Sequence, residues 1–92
     1  MNGQGIGRAV KALREGERVR RRGWNGKGMF LVFVPGTEGV VLRAGTPYAR
    51  HLGVGTTQAI GPHIDMYTAQ GVMQPGWLAS QADLLATDWE LA

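Results

Sequence analysis

The sequence predicts a small single α+β domain, a mainly antiparallel sheet with two short helices, assembling as a homo-oligomer. Three observations lead there. Apolar residues at helical spacing are confined to one segment near each end of the chain, and the stretch between them reads as short strands broken by Gly and Pro. Gln70-Gly71 joins two of those strands as a hairpin turn. A chain of 92 residues without cysteine has a small core and no disulfide staple, so contact with further copies becomes a source of burial.

In chain order, residues 1–5 are expected to be loose. Gly3, Gly5 and Gly7 imitate a phosphate-loop fingerprint, but no strand precedes them and the third required glycine falls on Arg8. Ile6, Ala9, Val10 and Leu13 recur at helical spacing and Gly16 supplies a stop, predicting a helix over 6–15. Glu17 to Arg22 reads as a short strand with Val19 inward. Residues 23–28 form a glycine-rich turn around Trp24. Met29 to Val34 is the strongest strand, apolar on both faces and so expected to be covered on both. Residues 36–58 read as an irregular excursion, with 40–42 a possible strand and 47–52 a possible helical turn. His63 to Tyr67 is a strand whose partner is Val72-Met73. Ser80 is placed to cap a helix, with Asp83 completing a near capping box and Leu84 and Leu85 apolar. Residues 88–91 alternate polar and apolar as a last strand, with Trp89 in the core.

Composition excludes several classes. Without cysteine there are no thiolate nucleophiles and no thiolate zinc sites. No apolar run approaches the roughly 20 residues of a membrane helix, and no signal peptide is evident, so a cytoplasmic protein away from membranes is expected. Charge is uneven. All ten Lys and Arg lie in residues 1–50 against three glutamates, whereas residues 51–92 carry four carboxylates and no Lys or Arg. Either the basic half meets an anionic ligand, or the halves complement each other within the fold or between subunits. The densest cluster, Arg18, Arg20, Arg21 and Arg22, is also what a solvated face looks like.

Catalytic constellations are weak. His63 and Asp65 are two apart on one strand, sharing a face without the usual pairing of a base and its orienting acid, and Ser80 is better explained as a cap. His51, His63 and Asp65 have no metal-site spacing, so no metal and no cofactor are expected. Asp83 and Asp88 as an acid–base pair compete with the structural role of Asp83. The tryptophans say more. Trp24 and Trp77 each neighbour a glycine in a loop, which suits stacking on a flat ring or, equally, plugging a small core.

Three stretches together, Arg22-Gly23-Trp24-Asn25-Gly26-Lys27-Gly28-Met29, Pro62-His63-Ile64-Asp65-Met66 and Trp77 to Ala86 with Asp88-Trp89-Glu90, resemble the second class of phage Thoeris anti-defence proteins. The resemblance covers roughly residues 6–91, with nothing carried over for 36–58. It implies a sponge that binds glycocyclic ADP-ribose, the signal of a defence TIR enzyme, without cleaving it, in the cytoplasm of an infected bacterium. It also implies a homotetramer with pockets at subunit interfaces and, in some members, capture of cyclic dinucleotides at a separate site. For such a ligand Trp24 offers a stacking face, Asn25 an amide for a base or ribose edge, and Arg22 or Lys27 a partner for the diphosphate. The glycines at 23, 26 and 28 would let backbone N–H groups approach phosphate, and Ser80 would offer a hydroxyl and free N–H groups at a helix start. Asp83 would accept from a ribose hydroxyl, and Met29, Trp77 and Gln81 complete the expected lining. The competing readings are a hydrolase of the same nucleotide, a nucleic-acid-binding module using the basic half, and a protein-interaction domain.

Overall fold

The computed structural model describes residues 3–92. Helix α1 (Ile6–Arg14) presents Ala9, Ala12 and Leu13 to the core and ends at Gly16, whose φ of +90° favours glycine. Strands β1 (Val19–Arg21) and β2 (Phe30–Val34) follow, then β3 (Thr37–Val41), helix α2 (Pro47–Leu52) and β4 (Thr57–Ile60). The chain closes with β5 (His63–Tyr67), β6 (Met73–Gln74), helix α3 (Gln81–Leu85) and β7 (Trp89–Leu91).

The main sheet has the order β6-β5-β2-β1-β7, with every neighbouring pair antiparallel. Helix α1 packs across β1, β2 and β7, and its apolar stripe meets Val19, Leu31 and Trp89, all 0% exposed. The predicted α+β class and antiparallel sheet are therefore present, but with three helices rather than two. The additional helix lies in the excursion, where the two readings of the sequence are both realised: β3 carries residues 40–41 and α2 spans 47–52. Thr46 caps α2 through its Oγ1, which accepts from the Ala49 N–H.

That excursion is a small arm. Its β3–β4 ladder forms a second, separate sheet, and Leu42 and Ala49 are buried within the arm, outside the main core. The molecule measures 46 × 26 × 21 Å, with a radius of gyration of 15.8 Å against about 12 Å for a compact chain of this length.

Three expectations are corrected. The first residues are not loose from Gln4 onward: Gln4 and Trp89 exchange both backbone hydrogen bonds, at 3.1 and 3.0 Å, while residues 1–2 lie outside the described residues. Strand β2 is not wrapped on both faces by its own chain. Leu31 is buried, but Phe30, Val32 and Val34 on the face away from α1 are only half-buried; that face carries a stacked Phe30–Tyr67 pair (4.9 Å, 20°) with Arg18 4.8 Å above Phe30, and Phe33, on the Leu31 face, packs half-buried at the margin of the core. The partner of β5 is Met73–Gln74, one residue later than expected, because the Thr68 N–H donates to the Val72 carbonyl and absorbs Val72 into the turn.

Candidate functional site

Antiparallel register decides where the charges go. Arg20 lies opposite Glu90 and Arg21 opposite Trp89, so side chains alternate between the two faces of the sheet. On the outer face, Glu90 Oε2 accepts from Arg20 Nε (3.2 Å) and Nη2 (3.0 Å), and its Oε1 accepts from Arg22 Nε (3.0 Å). On the core face, Arg21 donates from Nη1 to Asp83 Oδ1 (2.8 Å) and from Nε to Asp88 Oδ1 (2.9 Å). Three of the arginines of the basic first half are thus paired with three carboxylates of the acidic second half inside one chain, so Arg20, Arg21 and Arg22 form a cross-strand ion-pair network while the molecule keeps its net charge of +3. Arg22 still offers its two Nη groups, and Lys27 has no carboxylate partner among the described residues.

The loop from β1 to β2 folds back over this network. Asp88 Oδ2 accepts from the Gly23 N–H (2.7 Å), anchoring the loop's start. A Cβ at Gly26 would run into the Met29 sulfur and into Ala69 Cβ, so only glycine fits where the loop closes. Trp24 makes a T-shaped contact with Trp89, 5.5 Å between centroids at 80°, and its Nε1–H donates to Asp83 Oδ1 (3.3 Å). Between the loop and the sheet lies a cleft of about 270 Å³, walled by Arg20, Arg22, Trp24, Lys27, Met29 and Glu90. An aromatic ring beside guanidinium and ammonium groups can receive a flat base together with phosphate.

Of the expected lining, Arg22, Trp24, Lys27 and Met29 meet at this cleft. Asn25 is exposed in the same loop without lining it, and Gln81 is exposed on the first turn of α3. Trp77 belongs elsewhere. It meets Trp89 from another side, at 6.1 Å and 84°, and opens on a different cleft of about 320 Å³ beside Phe33 and His63. Both loop tryptophans therefore also plug the core, as the alternative reading held.

Ser80 and Asp83 form a complete capping box. Ser80 Oγ accepts from the Asp83 N–H (3.0 Å), and Asp83 Oδ2 accepts from the Ser80 N–H (3.1 Å). The box gives both residues a structural role beside the ligand roles expected of them. The N–H of Ser80 is engaged, α3 has only five residues, and Asp83 is 8% exposed with both oxygens occupied. The Gly23 N–H, expected to face phosphate, is likewise spent on Asp88. His63 and Asp65 come closer than their spacing suggested, with Nε2 3.5 Å from Oδ1, but Ser80 is held in its cap and forms no triad with them. Among the described residues no three metal-ligating side chains come together.

Arg20, Arg21 and Glu90 were not singled out as site residues by the sequence. The signal available was the alternation of Arg20 and Arg22 on a strand; the partner Glu90 becomes visible only once β7 is known to pair with β1.

The Thoeris anti-defense 2-like domain model matches residues 4–92 of this chain. The chain belongs to that family. A curated relative from Bacillus phage SP01, named Thoeris anti-defense 2, is 33% identical over 86 residues, covering 94% of this chain and 91% of that protein. Membership of the family supports an anti-defence role, and the matched span takes in both the cleft and the arm.

The ion pairs also set a pH response. Hydrogen bonds from Arg21 hold Asp88 below the usual carboxylate range, and those from Arg22 and Arg20 do the same for Glu90. Burial pushes Asp83 up, but hydrogen bonds from Arg21, Ser80 and Trp24 outweigh it and leave it lowered. With folded values below unfolded ones, the unfolded chain binds more protons in acid. Stability is therefore expected to hold from neutral pH down to the ordinary carboxylate values of 4.5 and 3.8 and to fall steadily below them. Urea midpoints at pH 7, 5, 4 and 3 check this, and a midpoint unchanged at pH 3 contradicts it.

Proposed function

We propose that the chain captures glycocyclic ADP-ribose at the Trp24 cleft and holds it uncleaved, as a homotetramer in the cytoplasm of an infected bacterium, so that the Thoeris effector stays inactive. The observation that carries this reading is that Trp24, Arg22 and Lys27 line one cleft, with the indole N–H of Trp24 held by Asp83. Family membership supplies the defence context, and the curated relative's name points to the same system. The ring takes the adenine, worth about 1–3 kcal/mol per stacked base. The free Nη groups of Arg22 and the Lys27 ammonium take the diphosphate. The cleft of one protomer is small for a dinucleotide-sized ligand, which fits completion of the pocket by a second copy.

The test mixes excess protein with glycocyclic ADP-ribose, removes free ligand by filtration, denatures the protein by heat and chromatographs what is released. Intact ligand recovered only after denaturation is the expected result. Cleaved product makes the protein an enzyme, and ligand that stays in the filtrate removes this signal from its repertoire. Trp24→Ala is expected to weaken capture by about 10–100-fold, the loss of one stacking platform. Equilibrium binding of a variant confirmed folded by circular dichroism checks it, and unchanged affinity places the base elsewhere.

A further inference from the structure

One carboxylate oxygen holds both a cation of the sheet and the tryptophan of the cleft. Asp83 Oδ1 accepts from Arg21 Nη1 at 2.8 Å and from Trp24 Nε1 at 3.3 Å, while its other oxygen caps α3 through the Ser80 N–H. Arg21 is fixed in turn by Asp88, whose second oxygen anchors the Gly23 N–H at the start of the loop. The indole of Trp24 is therefore set by two constraints: a T-shaped contact with Trp89 and an N–H that points at Asp83. Ring contact alone leaves a ring free to slide, and a directed bond to a charged acceptor removes that freedom.

From this we infer that Asp83 is a positioning residue for the Trp24 cleft: it orients the stacking ring from behind without touching the ligand. The inference rests on the proposed capture of a base at Trp24, but it has a part that needs no ligand. Asp83 is a capping residue by local geometry, yet a cap requires only Oδ2 and the Ser80 N–H. The second oxygen faces two donors from a segment some 60 residues earlier in the chain, with sequence separations of 62 and 59. A ring held in place before binding spares the ligand the entropy of ordering it, so the effect reads out in affinity rather than in which ligand binds.

The experiment uses ¹⁵N-labelled full chain and the indole N–H signals of its tryptophans, with Trp24→Phe assigning that of Trp24. In Asp83→Ala the Trp24 signal is expected to shift and to exchange with solvent at least tenfold faster. The Trp89 indole is the internal control, because its Nε1–H donates to the backbone carbonyl of Asp83 (3.1 Å), a bond the substitution leaves in place. Ser80→Ala, which removes the hydroxyl side of the cap alone, is expected to leave the Trp24 signal unmoved. A Trp24 signal unchanged in Asp83→Ala overturns the proposal, as does an equal shift in Ser80→Ala, which reduces Asp83 to its cap.

Affinity for glycocyclic ADP-ribose is then measured for the wild type, Asp83→Ala, Trp24→Phe and the double variant. Each single change is expected to weaken binding about tenfold, and the double variant to be no weaker than the worse single one. Multiplied losses in the double variant overturn the coupling. Should Asp83→Ala fail to fold, Trp24→Phe decides alone, since it keeps a ring and removes only the N–H and part of the ring's area; unchanged affinity there overturns the proposal. A wild type that captures no ligand defeats the functional reading while leaving the indole result to judge the positioning.

Discussion

Trp89→Ala is expected to cost about 3–5 kcal/mol of folding stability, the range for emptying a fully buried aromatic site. Trp89 is 0% exposed, its ring makes T-shaped contacts with both Trp24 and Trp77, and its Nε1–H donates to the Asp83 carbonyl at 3.1 Å. Its backbone exchanges two hydrogen bonds with Gln4. Against a total of about 5–14 kcal/mol for a domain of this length, the loss takes from about a fifth of the margin to all of it. Urea denaturation followed by circular dichroism measures it, and a loss under 1 kcal/mol would show that the indole contacts at Trp89 contribute little to stability. Trp89→Phe, which keeps a ring and drops the N–H, is expected to fall between.

Arg21→Ala is the second large effect, expected at about 2–3 kcal/mol. Removing one partner of a buried ion pair costs about 3–5 kcal/mol because a charge is left without compensation. Here the side chain of Arg21 is 20% exposed and those of its partners Asp83 and Asp88 are 12% and 29% exposed, so water offsets part of that loss. The melting temperature should fall by roughly 10–20 °C. Protonation offers a check on the cause: with the cation gone, both carboxylates rise toward ordinary values, so the acid sensitivity of the wild type should shrink in the variant. A variant that keeps the full acid response would assign that response to Glu90 and its arginines instead. Arg20→Ala, whose side chain is 46% exposed, is the natural comparison and should cost well under half as much.

Local signals were legible in the sequence. The stop of α1 at Gly16, the Ser80–Asp83 capping box and the burial of Trp89 all follow from chemistry within a few residues. Four cleft residues, Arg22, Trp24, Lys27 and Met29, were legible for the same reason, since they share one loop or its edges. What the sequence hid is long-range. That Asp83 turns inward, and which arginines meet which carboxylates, depends on β1 pairing with β7, a register no local pattern encodes. The arm was legible as strand and helix but not as a separate unit, because its glycines mask a buried Leu42 and Ala49.

The pairing of β1 with β7 also has a kinetic side. Arg20 and Glu90 are 70 residues apart, so the sheet closes only when almost the whole chain is available. At a synthesis rate of about 5–20 residues per second, β1 waits roughly 4–14 s for its neighbour. During that interval α1 and Val19 have no Trp89 to pack on, and the β1 edge is open to foreign strands. The β1–β7 pairing therefore cannot form until β7 has been synthesised, and slow codons between β2 and β7 would lengthen that interval.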